Sequence, residues 1–451
     1  MSDSQTAGPS SPGTVEGVLE RSLKLRDLTL IVVGTVIGSG IFIVPGAVLR
    51  QTGEQAGPAL LVWFLGGVLS LLGALTYGEL GAMNPKAGGL YVFVRDAFGP
   101  LTAFLYGWTM FFAISSGSLA TLAVAASGYA EQLVPLGDAG RKIAALTMIA
   151  IVTAVNVRGT RHGAAVQNWA TAVKVGAIAV MSAWLIGAGD SFFDDAPLWP
   201  EQLGAPLLSG IGLAMIGVLW AYEGWQYVTF SAGEAVDPQR TFPRGIVLGT
   251  LWLIAIYLLA NVAYLAALGP AGAAASDAVA ADAVRTLAGA GAGKLIAAAI
   301  IISMFGAANG LTLTAPRVYF AMARDGLFFA KLAAVHPGYR TPAFAILASG
   351  AWASVLALSG TFEQLLTYVV FAGWIFYALG GLSVFVYRRR FPDWPRPFKT
   401  PGYPLTPLLF VAAAAAIVLN TLFARPVQGL LGLAIVLLGA PAYYFWRRRR
   451  A

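Results

Sequence analysis

Two ionisable side chains, Lys174 and Glu223, occur inside long apolar stretches of this sequence. A charged lysine at the centre of a membrane helix costs about 2.5–3.5 kcal/mol on insertion scales, so such residues are candidates for binding or proton transfer. The chain has no cysteine, and its two histidines, His162 and His336, fall in predicted loops. Thiolate metal sites and disulfide-linked subunits are therefore excluded, and the sequence predicts no metal site, no catalytic residue and no cofactor.

Small residues interrupt two of the apolar stretches. Gly38, Ser39 and Gly40 form one interruption, and Glu223 with Gly224 forms the other. Glycines in mid-span release helical backbone groups, which hydrocarbon tolerates only where protein, water or a ligand satisfies them. We therefore expect a broken helix at each place, with tight helix packing around glycine as the alternative.

The elements that hold these residues are predicted membrane helices. The 451 residues are 58% hydrophobic and 11% charged, whereas an ordinary soluble chain is about 25% charged. Nine uncharged runs exceed the roughly 18 residues of a candidate membrane helix; they cover 28–49, 55–78, 97–130, 245–276, 295–316, 341–362, 364–387, 400–424 and 426–446. Shorter stretches at 143–157, 163–189 and 207–231 bring the prediction to an all-α membrane protein of about twelve transmembrane helices.

The predicted breaks fall in spans 1 and 6, and this spacing indicates a five-plus-five inverted repeat with a binding site near the bilayer midplane. The predicted organisation is a single transmembrane transporter domain over 27–446 between two tails. Its parts are a disordered cytoplasmic tail over 1–26, repeat one over 27–187, repeat two over 207–389, accessory spans 11 and 12 over 405–446, and a basic tail over 447–451.

Basic residues indicate the orientation. With the N-terminus inside, 22 of the 29 Lys and Arg residues lie in cytoplasmic segments and six lie outside. The positive-inside rule then predicts a multi-pass protein of the cytoplasmic membrane with both termini in the cytoplasm. The basic clusters are interpreted as topology anchors in a lipid bilayer, and no nucleic-acid partner is expected.

Four groups of residues resemble the amino acid/polyamine/organocation superfamily, and within it the L-type amino acid transporter-like group. They follow the family's order over nearly the whole chain: Gly38-Ser39-Gly40-Ile41-Phe42 with Pro45; Tyr77-Gly78-Glu79-Leu80, then Pro85 to Gly89 and Tyr91; Gly224-Trp225, then Glu234, Pro238, Pro243 and Arg244; and Phe305-Gly306, Asn309-Gly310, Arg317 and Ala323 to Gly326. The resemblance implies the inverted-repeat fold of sodium-coupled amine transporters and an amino acid substrate.

Helix ends at the two breaks can bind an amino acid without ionisable side chains, because a helix N-terminus attracts a carboxylate and a C-terminus attracts an ammonium. The resemblance assigns the same segments the same tasks. The predicted substrate-binding residues are Ile37, Gly38, Ser39, Gly40, Ile41, Trp220, Ala221, Tyr222 and Glu223. By the same resemblance, Trp220 closes over the substrate as a gate, and Tyr227 belongs to the cytoplasmic gate.

Lys174 has a sharper role in the resemblance. In sodium-independent members, a lysine here puts its amine where sodium-coupled relatives bind the ion, between span 1 carbonyls and span 8. The hydroxyl of Ser303 is the predicted partner. A structural buried ion pair is the alternative, and a desolvated lysine is also a candidate for carrying a coupling proton.

Glu223 departs from the mammalian L-type pattern, which has glycine there, and so leaves the substrate range open. The predicted function is secondary transport of neutral amino acids by a sodium-independent exchanger or facilitator, with a proton-coupled symporter as the alternative. A polytopic membrane enzyme would need an acid, base or metal-ligand cluster at one membrane face. A channel would need a filter segment or a ring of charge, and neither pattern is present in the sequence.

Overall fold

The structure of the chain, a computed structural model, describes residues 19–190, 198–201, 204–359, 362–424 and 426–448. These residues are nearly all helical, and their only β-type pairing is an isolated bridge between Leu23 and Ala235.

Twelve apolar segments, numbered spans 1 to 12 in chain order, make up most of the described residues. They are Leu25–Val36 with Gly40–Gln51 (span 1), Ala56–Met83 (2), Pro100–Leu133 (3), Gly137–Val157 (4), Thr160–Ala188 (5), Ala205–Ala221 with Trp225–Glu234 (6), Pro238–Ala274 (7), Ala290–Thr314 (8), Ala343–Ser359 (9), Phe362–Arg390 (10), Leu405–Ala424 (11) and Pro426–Arg448 (12). Span 9 is shorter than the others, and span 3 contains a π-helical turn, Met110–Ile114. The prediction of an all-α membrane protein of about twelve spans is confirmed.

Short helices connect some of the spans. Leu90–Phe98 follows span 2, Val279–Ala288 follows span 7, and Pro316–Arg324 with the 3-10 turn Ala330–Ala333 follows span 8.

Span 1 is broken where the glycines predicted it. Its first helix ends at Val36, its second begins at Gly40, and the two are bent by 50°. Gly40 is required by close approach, because a Cβ at this position would lie 2.7 Å from the Cα of Ala221. Span 1 therefore touches span 6 backbone to backbone at the break.

Span 6 is also broken. Its helix ends at Ala221, and Gly224 has a φ of 123°, which residues with a Cβ rarely adopt. The segment beyond, Trp225–Glu234, is a 3-10 helix rather than an α-helix. It packs against the loop that contains Gly88, where the amide of Gly88 donates a hydrogen bond to the carbonyl of Phe230 at 3.0 Å.

The predicted disordered tail over 1–26 is wrong at its C-terminal end, and residues 1–18 lie outside the described residues. The amides of Ser22 and Leu23 donate to the carbonyl of Glu234 at 2.9 and 3.0 Å, and Leu23 is buried. These residues are ordered because they satisfy the backbone end of span 6. At the other terminus, the last helix continues to Arg448, inside the predicted basic tail.

Candidate substrate site

A cavity lies between the breaks of spans 1 and 6; the space there that is not filled by atoms is about 480 Å³, which includes the part open to solvent, and a water-sized sphere can move within about 40 Å³ of it. Its lining includes seven of the predicted residues: Gly38, Ser39, Gly40, Trp220, Ala221, Glu223 and Tyr227. Ile37, Ile41 and Tyr222 are not in the lining, and all three are fully buried. The two breaks predicted separately thus share one cavity.

Side chains of span 3 form a wall of this cavity that sequence reasoning missed. Ser118, Thr121 and Leu122 line it, together with Ala307 and Leu311 of span 8. Small and aliphatic residues in an apolar span carry no signal that separates a cavity wall from helix packing.

The start of the second helix of span 1 offers unused donors. The amides of Ser39, Gly40 and Ile41 make no hydrogen bond with any described residue. The hydroxyl of Ser39 is also without a hydrogen-bond partner among the described residues, although this side chain is 1% exposed. A helix N-terminus with free amides beside a cavity favours an anionic group such as a carboxylate.

The carbonyls at the end of the span 6 helix are partly occupied. The Trp220 carbonyl accepts from the amide of Glu223 at 3.0 Å, and the Ala221 carbonyl accepts from the hydroxyl of Tyr257 at 2.8 Å. The carbonyl of Tyr222 accepts no hydrogen bond from a described residue. These three carbonyls are therefore not equivalent as acceptors for an ammonium, because two of them already have protein donors.

Trp220 is half-buried and lies at the contact between the two breaks. A Cβ at Gly40 would lie 3.4 Å from its indole ring. An aromatic ring at this point covers part of the cavity beside span 1.

Lys174 is 2% exposed, and its ammonium has three carbonyl partners. Its Nζ donates to the carbonyls of Gly34 and Ile37, both at 2.7 Å, and to the carbonyl of Ser303 at 3.0 Å. The ammonium thus joins spans 1, 5 and 8 beside the first break. No carboxylate takes part in these hydrogen bonds, so the ammonium is held by backbone dipoles rather than by an ion pair.

Ser303 differs from the expectation in one detail. Its carbonyl, not its hydroxyl, meets the ammonium of Lys174. The hydroxyl instead donates to the carbonyls of Ile37 at 3.1 Å and Gly38 at 3.3 Å. The reason is that the ammonium needs acceptors for its three protons and finds them in three carbonyls, whereas the hydroxyl proton of Ser303 is shared between the Ile37 carbonyl, which Lys174 also uses, and the Gly38 carbonyl.

Glu223 is half-buried at the cavity wall, and one of its oxygens accepts two hydrogen bonds. Its Oε1 accepts from Nε2 of Gln226 at 2.6 Å and from the hydroxyl of Tyr377 in span 10 at 2.5 Å. Tyr227 is buried and lines the same cavity. The carboxylate therefore belongs to a polar group that connects the second break to span 10.

Two acids, Glu234 and Glu79, lie at the end of the bundle where Leu23 is found. Both are buried inside the protein. Glu234 and Arg317 have no exposed side-chain surface, and Arg317 donates to both carboxylate oxygens, at 2.7 and 3.0 Å. Arg388 likewise donates to both oxygens of Glu79, whose side chain is 1% exposed. Each of these two buried acids thus accepts two hydrogen bonds from one arginine.

A third polar group at this end, formed by Tyr91, Arg95 and Asp325, lies outside the spans. The hydroxyl of Tyr91 donates to Asp325 at 2.8 Å, and Arg95 donates to the same oxygen at 2.7 Å. Burial, together with the charge of Asp325, raises the pKa of Tyr91. This group connects the short helix after span 2 to the one after span 8.

Asn309 of span 8 makes buried hydrogen bonds to span 5. Its Nδ2 donates to Gln167 and to the carbonyl of Gly163, both at 3.0 Å. Among the described residues there is no group of three or more His, Cys, Asp or Glu that could hold a metal ion.

Two broken spans that meet at a common cavity within a twelve-span bundle define the architecture of a secondary transporter. The chain matches the amino acid permease family over residues 23–439 and belongs to that family. The resemblance to the amino acid/polyamine/organocation superfamily is confirmed.

Relatives of similar length support this assignment. The chain is 33% identical to the serine/threonine exchanger SteT of Bacillus subtilis over 441 residues, which cover 97% of this chain and 99% of the relative. It is 33% identical to the large neutral amino acids transporter small subunit 2 of Homo sapiens over 458 residues, 99% of this chain and 84% of the relative. The b(0,+)-type amino acid transporter 1 of Mus musculus is 32% identical over 437 residues, 95% of this chain and 88% of the relative. All three relatives are named as transporters or exchangers.

Proposed function

We propose that the protein is a sodium-independent exchanger of neutral amino acids in the cytoplasmic membrane, with both termini in the cytoplasm. The observation that carries the proposal is the ammonium of Lys174, which contacts carbonyls of spans 1 and 8 at 2.7 to 3.0 Å. A covalently attached cation at this position makes a bound sodium ion unnecessary for holding the two spans together. The names of the relatives, a serine/threonine exchanger and a neutral amino acid transporter, favour the substrate class.

The substrate binds between the two breaks. Its carboxylate is received by the amides of Ser39, Gly40 and Ile41, and its ammonium by carbonyls near the end of the span 6 helix. This orientation is supported by the unused amides and by the direction of the two helix ends. Gly38 and Gly40 keep the backbone accessible, and Ile37 contributes its carbonyl to Lys174 rather than to the substrate.

Transport proceeds by alternating access. Trp220 closes over the bound amino acid, Tyr227 belongs to the inner gate, and one bundle rocks against the other. The moving parts belong to two repeats, over 27–187 and 207–389. The substrate drives the change by binding the occluded state more tightly than either open state.

Proton-coupled symport is the second candidate, and Glu223 is the observation that favours it. A carboxylate at the cavity wall, hydrogen-bonded to Tyr377 and Gln226, could take up a proton together with the substrate. Lys174, which is buried, is a further candidate for carrying the proton.

Transport by purified protein in liposomes tests these proposals. Uptake of labelled amino acids is measured with a sodium gradient, a proton gradient and internal amino acid in turn. Exchange predicts uptake that needs internal amino acid and is unaffected by either ion gradient. A requirement for sodium contradicts the role of Lys174, uptake driven by a proton gradient favours the symporter, and no uptake across a broad amino acid panel contradicts the proposed function.

A further inference from the structure

A second cavity lies beside Leu19, at the end of the bundle where Glu234 is buried. A water-sized sphere can move within about 490 Å³ of it, compared with about 40 Å³ in the cavity between the breaks. Its walls come from the loop after span 2 and from parts of Leu90–Phe98, Trp225–Glu234 and Pro316–Arg324. The two cavities share no lining residue among those described, so this space is separate from the candidate substrate site.

The walls of the second cavity carry more positive than negative charge. Its ionisable lining residues are Lys86, Arg95, Arg324 and Asp325. Arg95 is offset by Asp325, at 2.7 Å, and by Asp96, which lies outside the lining, at 3.0 Å. Lys86 and Arg324 therefore remain as cationic side chains in excess of the acid in the lining, and the cavity favours an anion.

Donors without acceptors lie in the loop after span 2. The ammonium of Lys86 makes no hydrogen bond or ion pair with a described residue, and the amide of Ala87 donates to none. This loop packs on the helix that ends at Arg324, because a Cβ at Gly88 would lie 2.7 Å from the Cβ of Ala321. Lys86 and Arg324 thus line the cavity from two elements that are in contact.

We propose that this cavity binds the phosphate group of a phosphate ester between Lys86 and Arg324. The inference rests on the proposed function only in placing this end of the bundle in the cytoplasm. An arginine offers phosphate two parallel N–H donors, and a lysine adds a compact positive charge. A cavity of this size holds more than a phosphate ion, so the ligand is an ester with an organic group attached.

Two sources carry this chemistry, namely the headgroup of an anionic phospholipid of the inner leaflet and a soluble phosphate ester. Basic pockets between membrane helices on the cytoplasmic side bind phospholipid headgroups in other proteins. Glycerol 1-phosphate and phosphatidic acid present the same phosphate monoester, the first in solution and the second on a lipid. The two compounds therefore serve as probes that distinguish the sources.

Binding is measured with the full chain purified in detergent. Glycerol 1-phosphate is titrated calorimetrically at constant ionic strength to give a Kd. Phosphatidic acid is added to the same micelles, and its effect on the midpoint of thermal unfolding is compared with that of phosphatidylcholine. A ligand that binds the folded protein raises this midpoint.

Lys86→Gln combined with Arg324→Gln removes the two excess cations, and Arg240→Gln combined with Lys331→Gln is the matched control. Arg240 and Lys331 are exposed at the same end of the bundle and are not in the cavity lining. In the first double variant, the Kd for glycerol 1-phosphate should rise tenfold or more, as expected for the loss of charge-assisted hydrogen bonds, and the midpoint shift with phosphatidic acid should disappear. The control variant should respond like the unsubstituted protein.

A cation-dependent response to phosphatidic acid alone supports a lipid headgroup as the ligand, and a cation-dependent response to glycerol 1-phosphate supports a soluble ester. No response to either probe, or equal weakening in the two double variants, would overturn the inference. If the first double variant does not fold, Lys86→Gln alone decides by the same measurements, because Lys86 is exposed; unchanged binding then contradicts the inference. Exchange in liposomes is measured separately, so a protein that exchanges amino acids but binds neither probe keeps the proposed function and loses only the inference.

Discussion

Replacing Lys174 by methionine removes the ammonium and keeps most of the side-chain volume. The structure limits the effect on folding. The carbonyl of Ile37 keeps the hydroxyl of Ser303 as a donor at 3.1 Å, and the carbonyl of Ser303 lies inside a continuous helix. The carbonyl of Gly34 lies near the end of the first helix of span 1, and the ammonium of Lys174 is its described donor from outside that helix. Of the three carbonyls, it alone loses such a donor without a replacement.

One unsatisfied buried carbonyl costs about 1–3 kcal/mol. Removing a charged lysine from the bilayer interior relieves about 2.5–3.5 kcal/mol on insertion scales. The two terms nearly cancel, so the thermal stability of Lys174→Met should stay close to that of the unsubstituted protein. Transport should fall more than tenfold, because the cation that joins span 1 to spans 5 and 8 is gone.

The assay is exchange in liposomes together with thermal unfolding of the same preparation. Lys174→Ala provides a second test. The shorter side chain leaves a space bounded by three carbonyls and the Ser303 hydroxyl. Oxygen atoms are the ligands that hard cations such as sodium prefer. Sodium should restore part of the transport in Lys174→Ala and none in Lys174→Met. Parallel loss of stability and transport would refute this reasoning and support a purely structural lysine.

Three further substitutions test other parts of the site. Gly40→Ala puts a Cβ 2.7 Å from the backbone of span 6. The overpacking costs about 1–3 kcal/mol and should weaken the apparent substrate affinity about 5- to 150-fold. In the control variant Gly176→Ala no atom lies within 4 Å of the new Cβ, so uptake should be unchanged. Glu223→Gln should change the KM but keep the need for internal amino acid, whereas loss of proton-driven uptake would support symport. Arg317→Met leaves Glu234 as an unpaired buried charge and should lower the free energy of unfolding by about 3–5 kcal/mol, seen as a lower midpoint in thermal unfolding. A midpoint unchanged from that of the unsubstituted protein would contradict the last expectation.

The sequence predicts most of the fold because hydrocarbon imposes simple rules. A membrane helix needs a long uncharged run, and a lysine within such a run needs a polar partner in the interior. Both breaks could be predicted from glycines. Gly40 allows a close approach of two backbones, and Gly224 allows a positive φ; residues with a Cβ rarely permit either. The cavity between the breaks then follows from their position in spans 1 and 6.

Several contacts could not be predicted, because they depend on how distant spans pack. Tyr257 is separated in sequence by 221 residues from Val36 and by 36 from Ala221, and a tyrosine in an apolar helix indicates only packing. The use of the Ser303 carbonyl in place of its hydroxyl depends on side-chain rotation. The buried contact between Glu234 and Arg317 could not be predicted either, because the two residues are 83 positions apart in the sequence.

The 3-10 form of Trp225–Glu234 has a consequence for length. Ten residues extend about 20 Å at the 3-10 rise of about 2.0 Å per residue, but about 15 Å at the α-helical rise of 1.5 Å. Rewinding this segment to an α-helix would shorten it by about 5 Å. Spin labels on cysteines introduced at its two ends would report such a change directly, since the chain has no cysteine of its own. The length of this second part of span 6, between the cavity and the buried Glu234, thus depends on its helix type by nearly one helical turn.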